Sequence, residues 1–253
     1  MARRWICLVV VCCLSGLIGP ARQTAATDPS VAQAAHLVVH VKFDDHAITP
    51  ATLRYLQRAF REAAQLRAEC VIIELNTPGG VLQSTQELVV DILASRVPVV
   101  VYVSPAGGRA ASAGAFVTLA SHVAAMAPGT RIGAAHPVAV GALPFAPPSP
   151  TPPTGTPPPE AEPVHESEDP PSEARRSLTV SESKLVNDTV AWSMSLARLR
   201  DRNVDWAARA VSENAVLTAA EAVEQQVADL MAVDLADLLR KLDGRQLTVA
   251  AVD

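Results

Sequence analysis

Two short apolar runs, each closed by glycine, restrict this chain to few folds. Cys70 to Leu75 reads CVIIEL and runs into Asn76-Thr77-Pro78-Gly79-Gly80. Val97 to Val103 reads VPVVVYV and precedes Gly107-Gly108. A strand solvated on one face alternates polar and apolar residues, whereas a strand covered on both faces does not. Both runs therefore read as buried strands of a parallel sheet. Parallel neighbours need crossovers, and helix-like segments stand where crossovers are required. His36 to Phe43 reads as the first strand. Thr49 caps a helix with Pro50 in its first turn, running to about Ala68. Val81 to Ser95 reads as a second helix. The small-residue stretch from Gly107 continues as a helix to about Ser121. Val123 to Met126 is a short strand, and Pro128-Gly129-Thr130 turns into Arg131 to Ala135. This alternation predicts an α/β domain with a mostly parallel sheet. Both glycine turns fall at C-terminal strand ends, where open sheets bind ligands.

The flanking segments differ in kind. Arg3 and Arg4 precede an uncharged apolar run from Trp5 to Ile18, with small residues after it. That pattern reads as a secretory signal over residues 1–26, with Thr24-Ala25-Ala26 as a cleavage site; an uncleaved anchor is the alternative. The protein is accordingly expected in the cell envelope, in the periplasm or on the outer membrane face. Residues 27–141 form the α/β core. Between Pro144 and Pro171 lie twelve of the chain's 20 prolines, with five acidic residues and no apolar periodicity, so residues 142–178 read as an acidic disordered loop. Residues 179–253 read as helical: Lys184 to Arg200, a helix capped by Asn203 or Asp205 that runs through Val211, Leu217 to Val227 with Thr218 at its start, and Val233 to Leu242. The net charge of −5, without a basic run, argues against nucleic acid as a partner. Removal of the signal leaves only Cys70, read as a core residue, and no metal-ligand spacing of Cys and His is present.

The chemistry centres on Ser112, alone among Gly and Ala in Gly107-Gly108-Arg109-Ala110-Ala111-Ser112-Ala113-Gly114-Ala115. Small neighbours let another backbone approach its hydroxyl; a packed small-residue helix face is the bland alternative. At a helix N-terminus the dipole favours developing negative charge. A nucleophilic serine needs a base. Lysine is scarce here, with Lys42, Lys184 and Lys241 against 18 arginines, which singles out the few amines able to deprotonate. Lys184 could serve if desolvated, although Asp188, four residues on, could hold it charged as an ordinary surface pair. His136 is the alternative base, in the commoner Ser–His arrangement. His122, where the serine helix ends, is a third candidate. The backbones of Gly79 and Gly80 are candidate oxyanion donors. Gly79, Gly107 and Gly108 would floor a groove that takes substrate as an extended strand.

Asn76-Thr77-Pro78-Gly79-Gly80, Ala111-Ser112-Ala113-Gly114, Ala125 through Pro137 and Lys184-Leu185-Val186-Asn187-Asp188 occur in one order. Together with Arg202-Asn203 and Leu217 through Ala222 they resemble the NfeD family. The likeness is to the N-terminal protease domain of the long membrane-bound members, relatives of protease IV within the Clp protease/crotonase-like fold. It covers roughly residues 36 to 240. The resemblance implies a Ser–Lys serine endopeptidase that needs no cofactor and no metal. Ser112 would be the nucleophile and Lys184 its base, with the amides of Gly80 and Ala113 as the oxyanion hole. It also implies an apolar segment of a membrane protein as substrate, a stomatin-like partner, and assembly into a homodimer or larger homo-oligomer. Two departures qualify it: long members continue into transmembrane helices and a small β-barrel domain whereas this chain ends at Asp253, and the Pro-rich insertion beside the base is longer than usual. A Ser112–His136 peptidase, an inactive scaffold for a membrane partner and a crotonase-like enzyme acting on an acyl thioester are the competing readings.

Overall fold

The computed structural model describes residues 37–138 and 180–249. The expected signal and the Pro-rich loop lie outside the described residues, so the structure bears on neither. No helix among the described residues is long and apolar enough to cross a membrane.

Five parallel strands form the main sheet: β1 (Val38–Asp44), β2 (Cys70–Asn76), β3 (Val99–Val103), β5 (Val123–Met126) and β8 (Leu230–Met231), in the order β1-β2-β3-β5-β8. The central strands are buried on both faces, as their uninterrupted apolar runs require. One face, carrying Val71, Ile73, Val99, Val101 and Met126, packs on the helices α1 (Pro50–Leu66), α2 (Leu82–Leu93), α3 (Ala113–Ala120) and α5 (Val204–Ser212). The other face, with Ile72, Val100 and Tyr102, is covered by α7 (Leu235–Leu242) through Leu238.

Local sequence explains the helix starts. Thr49 caps α1: its hydroxyl accepts from the Thr52 amide, and the Thr52 hydroxyl accepts from the Thr49 amide. Asn203 caps α5, and Thr218 with Glu221 forms a capping box on α6 (Ala219–Glu224). The long helix α4 (Val180–Leu199) precedes α5 and packs against both α5 and α3.

A second, smaller layer holds three strands that pattern reading misses: β4 (Arg109–Ala111), β6 (Arg131–Gly133) and β7 (Val216–Thr218), in the order β4-β6-β7. β4 runs parallel to β6, and β7 is antiparallel to it. Bridges from Thr77 to Ala110 and from Gly80 to Ile48 extend this layer under the glycine turn. Sequence reading makes Gly107 to Ser121 one helix. The structure divides it into β4, one hinge residue and α3. The hinge is Ser112.

Candidate active site

Ser112 has φ +50° and ψ −112°. This is the backbone of the first central residue of a type II′ turn, a place that favours glycine. A non-glycine residue there is strained, and such strain concentrates at functional sites. Two contacts hold it in place. On the strand side, β4 is fastened to its neighbours and the Ser112 amide donates to the Gly133 carbonyl at 3.0 Å. On the helix side α3 is buried along its whole length, so it cannot swing. Serine at a helix N-cap normally turns its oxygen onto the first-turn amides. Ser112 makes no such capping bond. Its hydroxyl is left half-exposed beside uncapped amides, which packing alone does not explain.

The turn after β2 lies against this serine. A side chain at Gly79, where φ is +138°, would place its Cβ 3.0 Å from the Ser112 Cβ and 3.4 Å from its Oγ. Gly80 is pressed on the opposite side by Ile48, whose carbonyl oxygen would clash with an added Cβ. Ile48 donates to the Gly79 carbonyl at 2.9 Å and accepts from the Val81 amide at 2.8 Å. In a parallel bridge of that register the amide of the intervening residue faces away from the bridging partner. The Gly80 N–H is therefore turned away from Ile48, and Gly80 is exposed. The Ala113 amide opens α3, at the positive end of its dipole.

Gly107 and Gly108 sit differently. The Gly107 amide donates to the Gly129 carbonyl at 3.2 Å and the Gly108 amide to the Pro105 carbonyl at 2.8 Å. Arg131 takes up both carbonyls, through its amide to Gly108 and its guanidinium to Gly107. These two glycines shape the turn that feeds β4.

Helix α4 brings in Lys184. Phe116 of α3 stacks on Trp192 of α4, with ring centroids 4.4 Å apart and planes 12° from parallel. Further along, the Arg200 Nε donates to the Ala120 carbonyl at 2.9 Å. Moving from Phe116 to Ala120 matches moving from Trp192 to Arg200, so the two helices run in the same direction. The N-terminal end of α4, with Lys184, is thereby delivered to the Ser112 end of α3. Lys184 lies about 12 Å of helix before Trp192, and Ser112 about 6 Å before Phe116, at 1.5 Å per residue. Lys184 and Asp188 are both exposed, and no ion pair joins them among the described residues. Neither Lys184 nor His136 is hydrogen-bonded to Ser112 among the described residues. His136 is half-buried, and its Nδ1 donates to the Val211 carbonyl at 2.9 Å, which leaves Nε2 as the nitrogen with a lone pair.

His122 is at the far end of α3 and is no partner of Ser112. Its Nδ1 accepts from the Val99 amide at 3.1 Å, so it is neutral there. Burial first, then the charges of Arg200 and Arg202, lower its pKa to about 4. The same end holds residues that sequence reading missed. Arg202 donates to the carbonyls of Leu119 at 2.6 Å and Ser121 at 2.9 Å, and pairs with Asp229 at 2.8 Å. Only the adjacency of two arginines after a helix end, Arg200 and Arg202, hinted at that role.

The mostly parallel sheet with alternating helices defines a Clp protease-like fold, and the strained serine that opens its buried helix, with a glycine turn pressed on the side chain, marks the candidate site. Comparison with known proteins narrows the class. A family profile described as NfeD1b, N-terminal domain, matches residues 38–142. The membrane-bound protease PH1510 of Pyrococcus horikoshii is 32% identical over 212 residues, which cover 84% of this chain and 41% of that protein. Membrane protein NfeD1b of Bacillus subtilis is 38% identical over 81 residues, 32% of this chain and 18% of its own length. This chain thus spans less than half the length of either relative. Among solved structures, a serine-to-alanine variant of the 1510-N membrane-bound stomatin-specific protease matches with a TM-score of 0.65 at 32% identity, covering 85% of this chain and 89% of that one. A lysine-to-alanine variant of the same protease in complex with a substrate peptide matches with a TM-score of 0.63 at 30% identity, covering 85% and 82%. The chain belongs to the NfeD family.

Proposed function

We propose that this protein is a serine endopeptidase in which Ser112 is the nucleophile and Lys184 its general base. The observation that carries the reading is the strained, uncapped Ser112 at the head of α3. Ser112 Oγ attacks the scissile carbonyl. Neutral Lys184 accepts the hydroxyl proton and returns it to the leaving amine, and water then hydrolyses the acyl-enzyme. The amides of Gly80 and Ala113 hold the tetrahedral oxyanion. The substrate lies extended along the glycine turn, with Gly79 leaving its path to Ser112 clear and Gly107 and Gly108 shaping the edge of the groove. A lysine works as base when it is removed from water. In this reading substrate, or a second copy of the chain in a homo-oligomer, covers the exposed Lys184 and completes the site.

The substrate class we propose is an apolar segment of a membrane protein, with a stomatin-like protein as partner. Support comes from the substrate named for the 1510-N protease and from the membrane-bound character of the relatives. Export through the N-terminal signal, with the domain acting at the membrane, completes the reading.

A second reading takes His136 as base. It is favoured by one observation: the Val211 carbonyl fixes the imidazole tautomer with Nε2 free to accept a proton. The test is cleavage of an internally quenched apolar peptide by the full chain and by Ser112→Ala, Lys184→Ala and His136→Ala. The dyad expects the first two variants to lose turnover by orders of magnitude and the third to keep it. Loss in His136→Ala with Lys184→Ala active installs the histidine. Full activity in Ser112→Ala leaves the scaffold role.

A further inference from the structure

Besides Ile48, the Gly79–Gly80 turn is held by the side chain of Thr77, which is fully buried. Its hydroxyl donates to the His46 carbonyl at 2.7 Å and accepts from the Gly79 amide at 3.2 Å. A hydroxyl carries one proton, and the His46 carbonyl is the nearer acceptor; the Gly79 carbonyl, 3.0 Å away, already accepts from Ile48. The Thr77 backbone is fixed as well. Its amide donates to the Arg109 carbonyl at 2.8 Å, and its carbonyl accepts from the Ala111 amide at 3.1 Å. Its methyl fills the space in front of Gly114, where an added Cβ would come within 2.6 Å of it. One residue therefore touches four parts of the site: its side chain meets the segment before Ile48, the glycine turn and the first turn of α3, and its backbone pairs with the strand that leads into Ser112.

We propose that Thr77 is the positioning residue of the oxyanion turn, its buried hydroxyl holding the Gly79 amide and so fixing the turn beside Ser112 in which the Gly80 amide meets the substrate's carbonyl oxygen. The inference rests on the reading of Gly80 as an oxyanion donor given above. The hydroxyl supplies the acceptor for the Gly79 amide in a turn whose φ is +138°. Threonine suits the place for two reasons. The hydroxyl sets the turn, and the methyl sets the distance to α3. Valine keeps the shape and loses the hydrogen bonds, while serine keeps the bonds and loses the methyl.

These two substitutions separate the roles. Steady-state cleavage of the quenched apolar peptide is measured for the full chain, Thr77→Val, Thr77→Ser and Ser112→Ala, with thermal unfolding of each. Loss of a preorganised oxyanion donor typically lowers kcat by about 10²–10³-fold. Thr77→Val is expected to lose about 10²-fold in kcat with KM within about twofold, because substrate binding along the groove is untouched. Thr77→Ser is expected to keep kcat within about fivefold, even if it melts earlier. The proposal is overturned if Thr77→Val keeps kcat within about threefold, or if Thr77→Ser falls as far as Thr77→Val, which would make the residue a packing element. Should Thr77→Val fail to fold, the serine variant alone decides, since only the hydroxyl is claimed for catalysis. Full activity in Ser112→Ala removes the peptidase reading and this inference together. An inactive Ser112→Ala beside an active Thr77→Val removes the inference alone.

Discussion

The two ends of α3 are built in opposite ways. At its C-terminal end the carbonyls of Leu119, Ala120 and Ser121 are taken up by Arg202 and Arg200, and Asp229 pairs with Arg202 from the other side. At its N-terminal end the Ser112 oxygen declines the cap, and among the described residues no side chain takes its place. Every helix leaves unpaired groups at both ends. Here the protein closes one end with two cations and leaves the other open, at the positive pole. An end the protein closes is structural. An end it leaves open, under backbone strain, is available to a ligand.

The largest expected effect at the open end is on turnover. Ser112→Ala should lower kcat by about 10⁴-fold or more, as loss of a nucleophile does elsewhere, with the melting temperature little changed because alanine keeps the Cβ and the same backbone strain. A stable Ser112→Ala that still cleaves the peptide breaks the contrast. Gly80→Ala is next. Its Cβ would strike the Ile48 backbone, so the turn must shift by a sizeable fraction of an ångström. Overpacking of this kind costs about 1–3 kcal/mol, and the displaced amide should add about a 10²-fold loss in kcat. Denaturant unfolding and kinetics together read both.

At the closed end the effect moves to stability. Arg202→Met strands Asp229 and two helix-terminal carbonyls, those of Leu119 and Ser121, without their cation. Breaking a buried pair costs about 3–5 kcal/mol, and the lower value applies because the Asp229 side chain is 29% exposed. The unfolding midpoint should drop while kcat per folded molecule changes little. A kcat loss as large as that of Gly80→Ala would merge the two ends into one device.

The smallest effect is the pH response of His122. Its pKa is lowered from 6.5 to about 4 in the folded chain. Between those values the unfolded chain binds more protons than the folded one, so stability rises with pH. That contribution is complete above about pH 6.5 and is lost as pH falls towards 4. Urea unfolding at pH 7 and pH 4.5 should show this slope in the parent and a shallower one in His122→Gln.

The difference between the ends also sorts what sequence could reveal. The sheet was legible because Val71, Ile72, Ile73 and the Val99–Val103 run are buried on both faces, and a run with no solvated face leaves an uninterrupted apolar signature. Thr49, Asn203 and Thr218 announced their helices through chemistry local to four residues. β4, β7 and β8 did not. Each is two or three residues long, and Arg109-Ala110-Ala111 has no strand preference of its own; it is extended because Thr77 and β6 pair with it. Ser112 was legible as a serine among small residues, but its positive φ is imposed by those same neighbours and leaves no local mark. Arg202 was hidden for another reason: buried arginine is rare, and its partners Leu119, Ser121 and Asp229 lie 27 or more residues away. Lys184 with Asp188 shows the reverse error, a spacing that suggests a pair the described residues do not form.

The complete burial of α3 has a consequence for motion. A helix with no solvated face has little route to fray, so the hydrogen-bonded amides beyond its open first turn should exchange with solvent only when the domain opens as a whole. The described start of α4 exposes Glu182, Lys184, Asn187 and Asp188, and exposed helix ends open more readily than buried ones. Serine and lysine thus sit on elements of unequal persistence. One half of the proposed dyad is frozen into the core for the lifetime of the fold, and the other can come and go on the timescale of a surface helix end. Whatever turns this domain on or off acts most economically on the lysine side.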